Sequence, residues 1–274
     1  MLWLTWRQHR AQTLVTVALI AGAALLLVLD AVPFDVIKSL PVVPVLVGLF
    51  WGVPLLTREH ERGTDCLVWT QTVARSRWLV VKFAALGTAV TLSGLAFGAV
   101  VLGWTEASDT PMDRFSGEVF GVTGVVSGAW FLAMFALGAA SGAVLRRMLP
   151  AMAVTIAVFA GLVVGAFLAR EHYAEPEVAV SGSHGLVVPD GALVTGSGVV
   201  NAAGERLTWD EAMSACAGAE PVSCMRDRGY VRQYNLYQPA DRYWRFQWTE
   251  TGLLLILTVV LLGVTARQVV SRSR

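Results

Sequence analysis

The chain is short of charge. Of its 274 residues only 15% are Asp, Glu, Lys or Arg, against 55% hydrophobic. A soluble domain carries about 25% charge, and the mean hydropathy here is +0.59. The deficit is concentrated in long uncharged blocks. Residues 39–57 hold no charge, and neither does Phe83 to Trp104. A bilayer core about 30 Å thick takes roughly 20 apolar residues in helix. The composition therefore describes a polytopic membrane protein. The blocks are continuously apolar rather than alternating, which excludes a β-barrel and leaves helices. With a formal net charge of only +1, nothing draws the chain as a whole to nucleic acid.

Other absences exclude chemistry. A phosphate-binding P-loop needs Gly-Lys-Ser/Thr after a glycine-rich turn. The only lysines, Lys38 and Lys82, follow Ile37 and Val81. ATP hydrolysis by that route is excluded, and no cofactor is expected in this chain. Ion-coupled carriers usually bury Asp, Glu or His within their spans. Here Glu118 and Glu250 fall near the ends of spans. His9, His60, His172 and His184 are scattered without metal-ligand spacing, and no Ser/His/Asp set assembles in one compartment. The chain is read as not itself catalytic, with no metal site.

What is present predicts an all-α membrane protein of six spans. They cover about 12–30, 40–57, 83–104, 118–145, 148–169 and 250–268. Pro41, Pro44 and Pro54 predict a bent or locally unwound second span. The first ten residues, with Trp3, Trp6, Arg7 and Arg10, read equally as an interfacial segment or as the start of span one. The N-terminal apolar stretch is long for a signal peptide and no clean A-x-A site follows it, so it is read as a retained anchor.

Basic residues in short loops set orientation. The side shared by the termini holds 12 of the 21 basic residues and three acids, Glu59, Glu61 and Asp65. The other side holds 9 basic residues and 17 acids. Both termini are thus expected in the cytoplasm of a cell that carries the chain in its plasma membrane. The domains are then a cytoplasmic or interfacial segment 1–11, spans one to five over 12–169 with a cytoplasmic loop at 58–82, an extracytoplasmic cap 170–249, and span six with its tail over 250–274.

Five pairs have small-xxx-small spacing: Gly48/Gly52, Gly94/Gly98, Gly124/Gly128, Gly138/Gly142 and Gly161/Gly165. Such pairs let helix backbones approach closely, and packing within the chain is the expected use.

The cap is expected to be small and mixed α/β. Residues 185–200 read as two short strands, and Thr208-Trp209-Asp210-Glu211 as a capping box opening a helix. Cys216 and Cys224 share the oxidising side, where disulfides persist. They are expected to pair, the alternative being two reduced thiols, while Cys66 stays free in the cytoplasm. YQPADRYWRFQW reads as an amphipathic lead-in to span six. Trp244 and Arg245 are the candidates if that surface reads a ligand.

The cytoplasmic loop REHERGTDCLVWTQTVARSRW, Arg58 to Trp78, is far longer than the 2–8 residues that usually join helices. Arg58 to Arg62 should extend span two. Gly63 suits a helix end. Thr64 then N-caps a short helix from Asp65 to about Gln71, carrying Leu67, Val68 and Trp69. Such an element either docks a soluble partner or lies on lipid headgroups.

This stretch resembles the segment between the second and third spans of type-2 ATP-binding-cassette (ABC) exporter permeases. The family pattern is roughly E-R-E-x-G-T, a short hydrophobic helix, a turn, then S-R and a lysine. Glu59, Glu61, Gly63, Thr64, Leu67, Ser76, Arg77 and Lys82 match it. WRQHRAQ, RRMLPAMAVT and YQPADRYWRFQWTETG are similar to an actinobacterial-looking branch. A proline that often follows the short helix is replaced here by Thr70-Gln71-Thr72-Val73, which leaves the end of that helix open. The resemblance implies that Glu59, Glu61, Gly63, Thr64, Asp65, Leu67 and Trp69 form a coupling helix docking on a separate ATPase subunit. It also implies that the ATPase binds ATP and Mg and that two permease chains pair, as homo- or heterodimer. A membrane-anchored sensor or assembly protein, with the cap as its reader and no transport, is the other reading.

Overall fold

A computed structural model describes residue 22 and residues 39–61, 75–107, 114–117, 119–181, 188–217 and 220–271. The expected first span, apart from residue 22, and the segment 62–74 lie outside the described residues. Five helical stretches among those described are long and apolar enough to cross a membrane. The chain divides into two units, Met1–Ala166 with Gln247–Arg274, and Phe167–Phe246.

In the first unit the second span is composite. A 3-10 turn at Leu40–Val42 leads to α1 (Val43–Val47), a π-helical turn at Gly48–Gly52, and α2 (Pro54–Glu61). The prolines explain this. Pro54 donates no N–H, and its ring would clash with the carbonyl four residues back. The backbone widens instead, and the Val53 N–H reaches the Gly48 carbonyl at 2.8 Å, a bond across five residues of the kind that defines a π-turn. The bent or unwound second span expected from the sequence is therefore present.

The third span lies in α3 (Arg75–Ala107) and the fourth in α4 (Gly124–Leu145). The fourth begins later than the expected residue 118. Phe120–Val122 form a separate 3-10 turn, and Thr123 is extended at φ −118°, ψ 162°. α4 is the axis of this unit, with 83% of its span buried. Ala133, Met134, Ala136 and Ala139 are wholly inaccessible. It ends at Arg146, which takes the left-handed conformation (φ 57°) with its N–H on the Gly142 carbonyl at 3.0 Å. α5 (Met148–Arg170) follows after one intervening residue.

The glycines decide which helices approach α4. A Cβ on Gly138 would sit 2.1 Å from the Gly48 carbonyl oxygen, and one on Gly52 would sit 2.5 Å from that of Phe135. Gly142 faces the Val53 carbonyl in the same way. Two of the five pairs therefore face each other, joining the second span to the fourth. Gly94 and Gly98 make room for Phe131 and Ser127 of α4, and the Ser127 hydroxyl donates to the Gly94 carbonyl at 2.8 Å. Gly161 and Gly165 differ: a Cβ on either meets nothing within 4 Å among the described residues. α5 and the sixth-span helix α8 (Tyr243–Ser271) are each only 17% buried over their spans. α8 also begins earlier than the expected residue 250.

The second unit is an antiparallel sheet with two short helices. Its strands are β1 (Glu177–Val180), β2 (Leu193–Asn201), β3 (Arg206–Thr208) and β4 (Tyr230–Gln238), ordered β1-β4-β2-β3. Residues 185–200 thus supply one described strand rather than the two expected, because β2 runs unbroken through the glycines at 196 and 198. At Gly198 a Cβ would lie 2.0 Å from the Leu207 carbonyl, so only glycine lets β3 close in. Helices α6 (Trp209–Ala215) and α7 (Pro221–Asp227) connect β3 to β4. The capping box at Thr208 and Glu211 is formed in both directions. Cys216, capping the end of α6, is disulfide-bonded to Cys224 in α7. With Val199, Ala212 and Met225, Cys216 makes a small core. Gln238 ends β4, where the sequence suggested an amphipathic lead-in. Only after the 3-10 turn Ala240–Arg242 does helix begin.

Candidate functional site

The second-to-third-span segment is anchored before it leaves the described residues. α2 carries the second span without a break through residues 59 and 61, so Glu59 and Glu61 lie in its last turn. Gly63, Thr64, Asp65, Leu67 and Trp69 lie outside the described residues. The base of α2 is fixed firmly. Leu55 and Leu56 are each 3% exposed and belong to the main core. Thr57 is fully buried, its hydroxyl donating to the Val53 carbonyl at 3.0 Å, and its Cγ2 lies where a Cβ on Gly142 would press.

A force on residues 59–61 therefore meets α4 through backbone contact at Gly48, Gly52, Gly138 and Gly142. Backbone packed against backbone has little slack, because no side chain can change rotamer to absorb a displacement. On the other flank Lys82 is buried at 6% exposure near the start of the third span. The adjoining Phe83 ring stands 5.7 Å from Phe135 of α4. Both ends of the loop thus lead to α4.

A second feature joins α4 to α8. Gln247 is wholly buried. Its Oε1 accepts from the Val126 N–H at 3.0 Å, and its Nε2 donates to the Phe120 carbonyl at 3.2 Å. Thr123 precedes α4 but makes no side-chain cap. Its hydroxyl is turned back to the Val119 carbonyl at 3.1 Å. Gln247, 121 residues away in sequence, caps the helix in its place. One turn further, Glu250 is 1% exposed and accepts from the Trp130 indole at 2.8 Å. The neighbouring Thr251 hydroxyl is buried and has no hydrogen-bond partner among the described residues.

In the sequence Glu250 lies near the end of a span, whereas the structure buries it. The signal available was its spacing of three from Gln247 on one helical face. Among the described residues no group of three His, Cys, Asp or Glu could hold a metal ion. What the arrangement offers is mechanical: a central helix gripped by the second and third spans and hydrogen-bonded to the sixth. Trp244 is half exposed, its ring 5.4 Å from that of Tyr243, and Arg245 is exposed beside it.

These features define a multi-span helical membrane protein with a folded polar insertion before its last span. A comparison with protein families matches residues 28–170 to "ABC-2 membrane transporter related". That is more than half the chain, and the protein belongs to this family. The match covers the whole second-to-third-span segment and the glycine joint. Searches of curated proteins and of solved structures found no match.

Proposed function

We propose that the chain is the permease subunit of an ATP-driven ABC exporter. In this reading a separate ATPase subunit binds ATP and Mg and does the hydrolysis, and this chain is not itself an enzyme. The ATPase grips the cytoplasmic stretch 59–71, two permease chains enclose the path, and both termini face the cytoplasm at the plasma membrane. The observation that carries the reading is the family match spanning that stretch, where α2 delivers Glu59 and Glu61 on a helix locked to α4. ATPase closure would displace the end of α2, and the glycine joint would pass the movement to α4. The glycine-rich, uncharged spans suit an amphiphilic substrate better than an ion.

A folded, disulfide-tied unit before the last span favours a second reading, a membrane-anchored sensor whose insertion reads a ligand.

Affinity capture of the tagged chain from its own host in mild detergent separates the two. A stoichiometric P-loop ATPase should accompany wild type and be lost from the double variant Glu59→Lys, Glu61→Lys. No ATPase with folded wild type would reject the exporter reading.

A further inference from the structure

The fourth and fifth spans meet at a corner with almost no loop. The apolar span of α4 ends at Leu145 and that of α5 begins at Met148, leaving Arg146 and Arg147 between them. The chain doubles back there, and the Trp130 ring of α4 stands 6.2 Å from the Phe159 ring of α5. The spans have 22 and 23 residues. At about 1.5 Å of rise per residue, each is just long enough to cross a core about 30 Å thick. The two arginines are thereby set at headgroup depth.

Two observations single the corner out. Arg146 takes the left-handed conformation, φ 57° and ψ 2°. Glycine ordinarily fills that position after a helix, because an L side chain is strained in it. Here the strain is accepted, and what arginine supplies that glycine lacks is a guanidinium. Both arginines are also exposed, and among the described residues neither side chain makes a hydrogen bond or an ion pair.

The surface around them is apolar. Leu149 is 79% exposed, Val144 46% and Leu145 36%. A cationic pair bordered by open apolar side chains, at the end of two membrane spans, matches an amphiphile with an anionic head. We propose that the Arg146–Arg147 corner binds an anionic phospholipid of the surrounding bilayer. An acyl chain lies along Leu145 and Leu149, and the phosphodiester oxygens accept from the two guanidiniums. A zwitterionic lipid offers the same phosphate but brings a cation with it, which two arginines disfavour. A soluble acidic partner would have to reach headgroup depth, since no loop carries the arginines out to it. The proposal needs only that the chain spans a membrane, and it stands apart from the exporter reading.

The test uses the full chain in phosphatidylcholine nanodiscs. Cys66→Ser leaves no free thiol, because Cys216 and Cys224 are bonded to each other. Leu149→Cys then carries a bimane fluorophore at the corner. Phosphatidylglycerol and phosphatidylcholine, each spin-labelled near the headgroup, are titrated separately as quenchers. Phosphatidylglycerol should associate at the corner about fivefold more strongly than phosphatidylcholine, and high salt should reduce that preference. Arg146→Gly with Arg147→Gln keeps the left-handed turn and removes both charges. In this variant the preference should disappear while quenching by phosphatidylcholine stays unchanged. Arg147→Gln alone, which leaves the turn untouched, should lower the preference partway. The same fluorophore at Val259→Cys, a position 68% exposed on α8, should show no preference. Equal association of the two lipids at residue 149 would overturn the proposal and leave the arginines to a soluble acidic partner. So would a preference that survives in the double variant or appears equally at residue 259, either of which would mark a general enrichment of anionic lipid around the chain.

Discussion

The Trp130 indole N–H donates to the Glu250 carboxylate at 2.8 Å, with Glu250 1% exposed and Trp130 4% exposed. A buried donor stripped of its acceptor costs about 1–3 kcal/mol. Glu250→Ala should therefore lower stability by about that amount. Glu250→Gln, which keeps an acceptor oxygen, should cost distinctly less. Thermal unfolding in detergent, followed by tryptophan fluorescence, checks both. Equal losses would show that packing rather than the hydrogen bond joins α4 to α8 here.

The glycine joint predicts a contrast between two chemically identical changes. Gly138→Ala forces a methyl against the Gly48 carbonyl and the Val53 nitrogen. Both are backbone, so neither can swing aside, and overpacking of this kind costs about 1–3 kcal/mol or more. Gly161→Ala meets nothing within 4 Å among the described residues and gains up to about 1 kcal/mol of helix propensity. Paired melting temperatures should move in opposite directions. A neutral Gly138→Ala would show the second and fourth spans to be less closely packed than described.

The disulfide closes a short loop, Cys224 following Cys216 by eight positions. Loop-closure entropy for that length corresponds to about 2.5 kcal/mol. Replacing both cysteines by serine should destabilise the second unit by roughly that amount. Hydrogen exchange over residues 206–227 should rise, while exchange in α4 stays unchanged. Faster exchange in both would mean the two units unfold together.

Two carboxylates make the second unit sensitive to acid. The backbone and side-chain bonds from Thr208 hold the Glu211 carboxyl below the usual carboxylate range. Those from Ser223, chiefly its N–H, do the same for Glu220. A group whose pKa is lowered by folding contributes stability above its unfolded pKa and loses it as pH falls through the folded one. The unit should thus keep full stability at neutral pH and loosen as pH drops through the carboxylate range. Glu211→Gln with Glu220→Gln should flatten that dependence. Exchange rates over 206–227, corrected for the intrinsic effect of pH, provide the measurement; an unchanged slope in the double variant would remove these caps as the cause.

Much of this was written in the sequence because the forces involved are local. Uncharged blocks of bilayer length marked the second to sixth spans, since lipid accepts no unsatisfied backbone. Pro54 foretold the irregular second span by removing one donor, and Thr208 with Glu211 foretold a helix start three residues wide. The pairing of Cys216 with Cys224 was legible because both fall on the side expected to be oxidising, where disulfides persist. Partner choice across the fold was not legible. Five glycine pairs look alike in sequence, yet Gly48/Gly52 meet Gly138/Gly142 while Gly161/Gly165 meet nothing among the described residues. Close approach depends on the second surface as much as the first. Glu250 looked peripheral because position along a span says nothing about which side faces inward. Gln247 as the cap of α4 exists only once distant segments fold together. The sequence set the elements and the medium they suit; the tertiary structure decided which surfaces touch, because packing is a property of pairs.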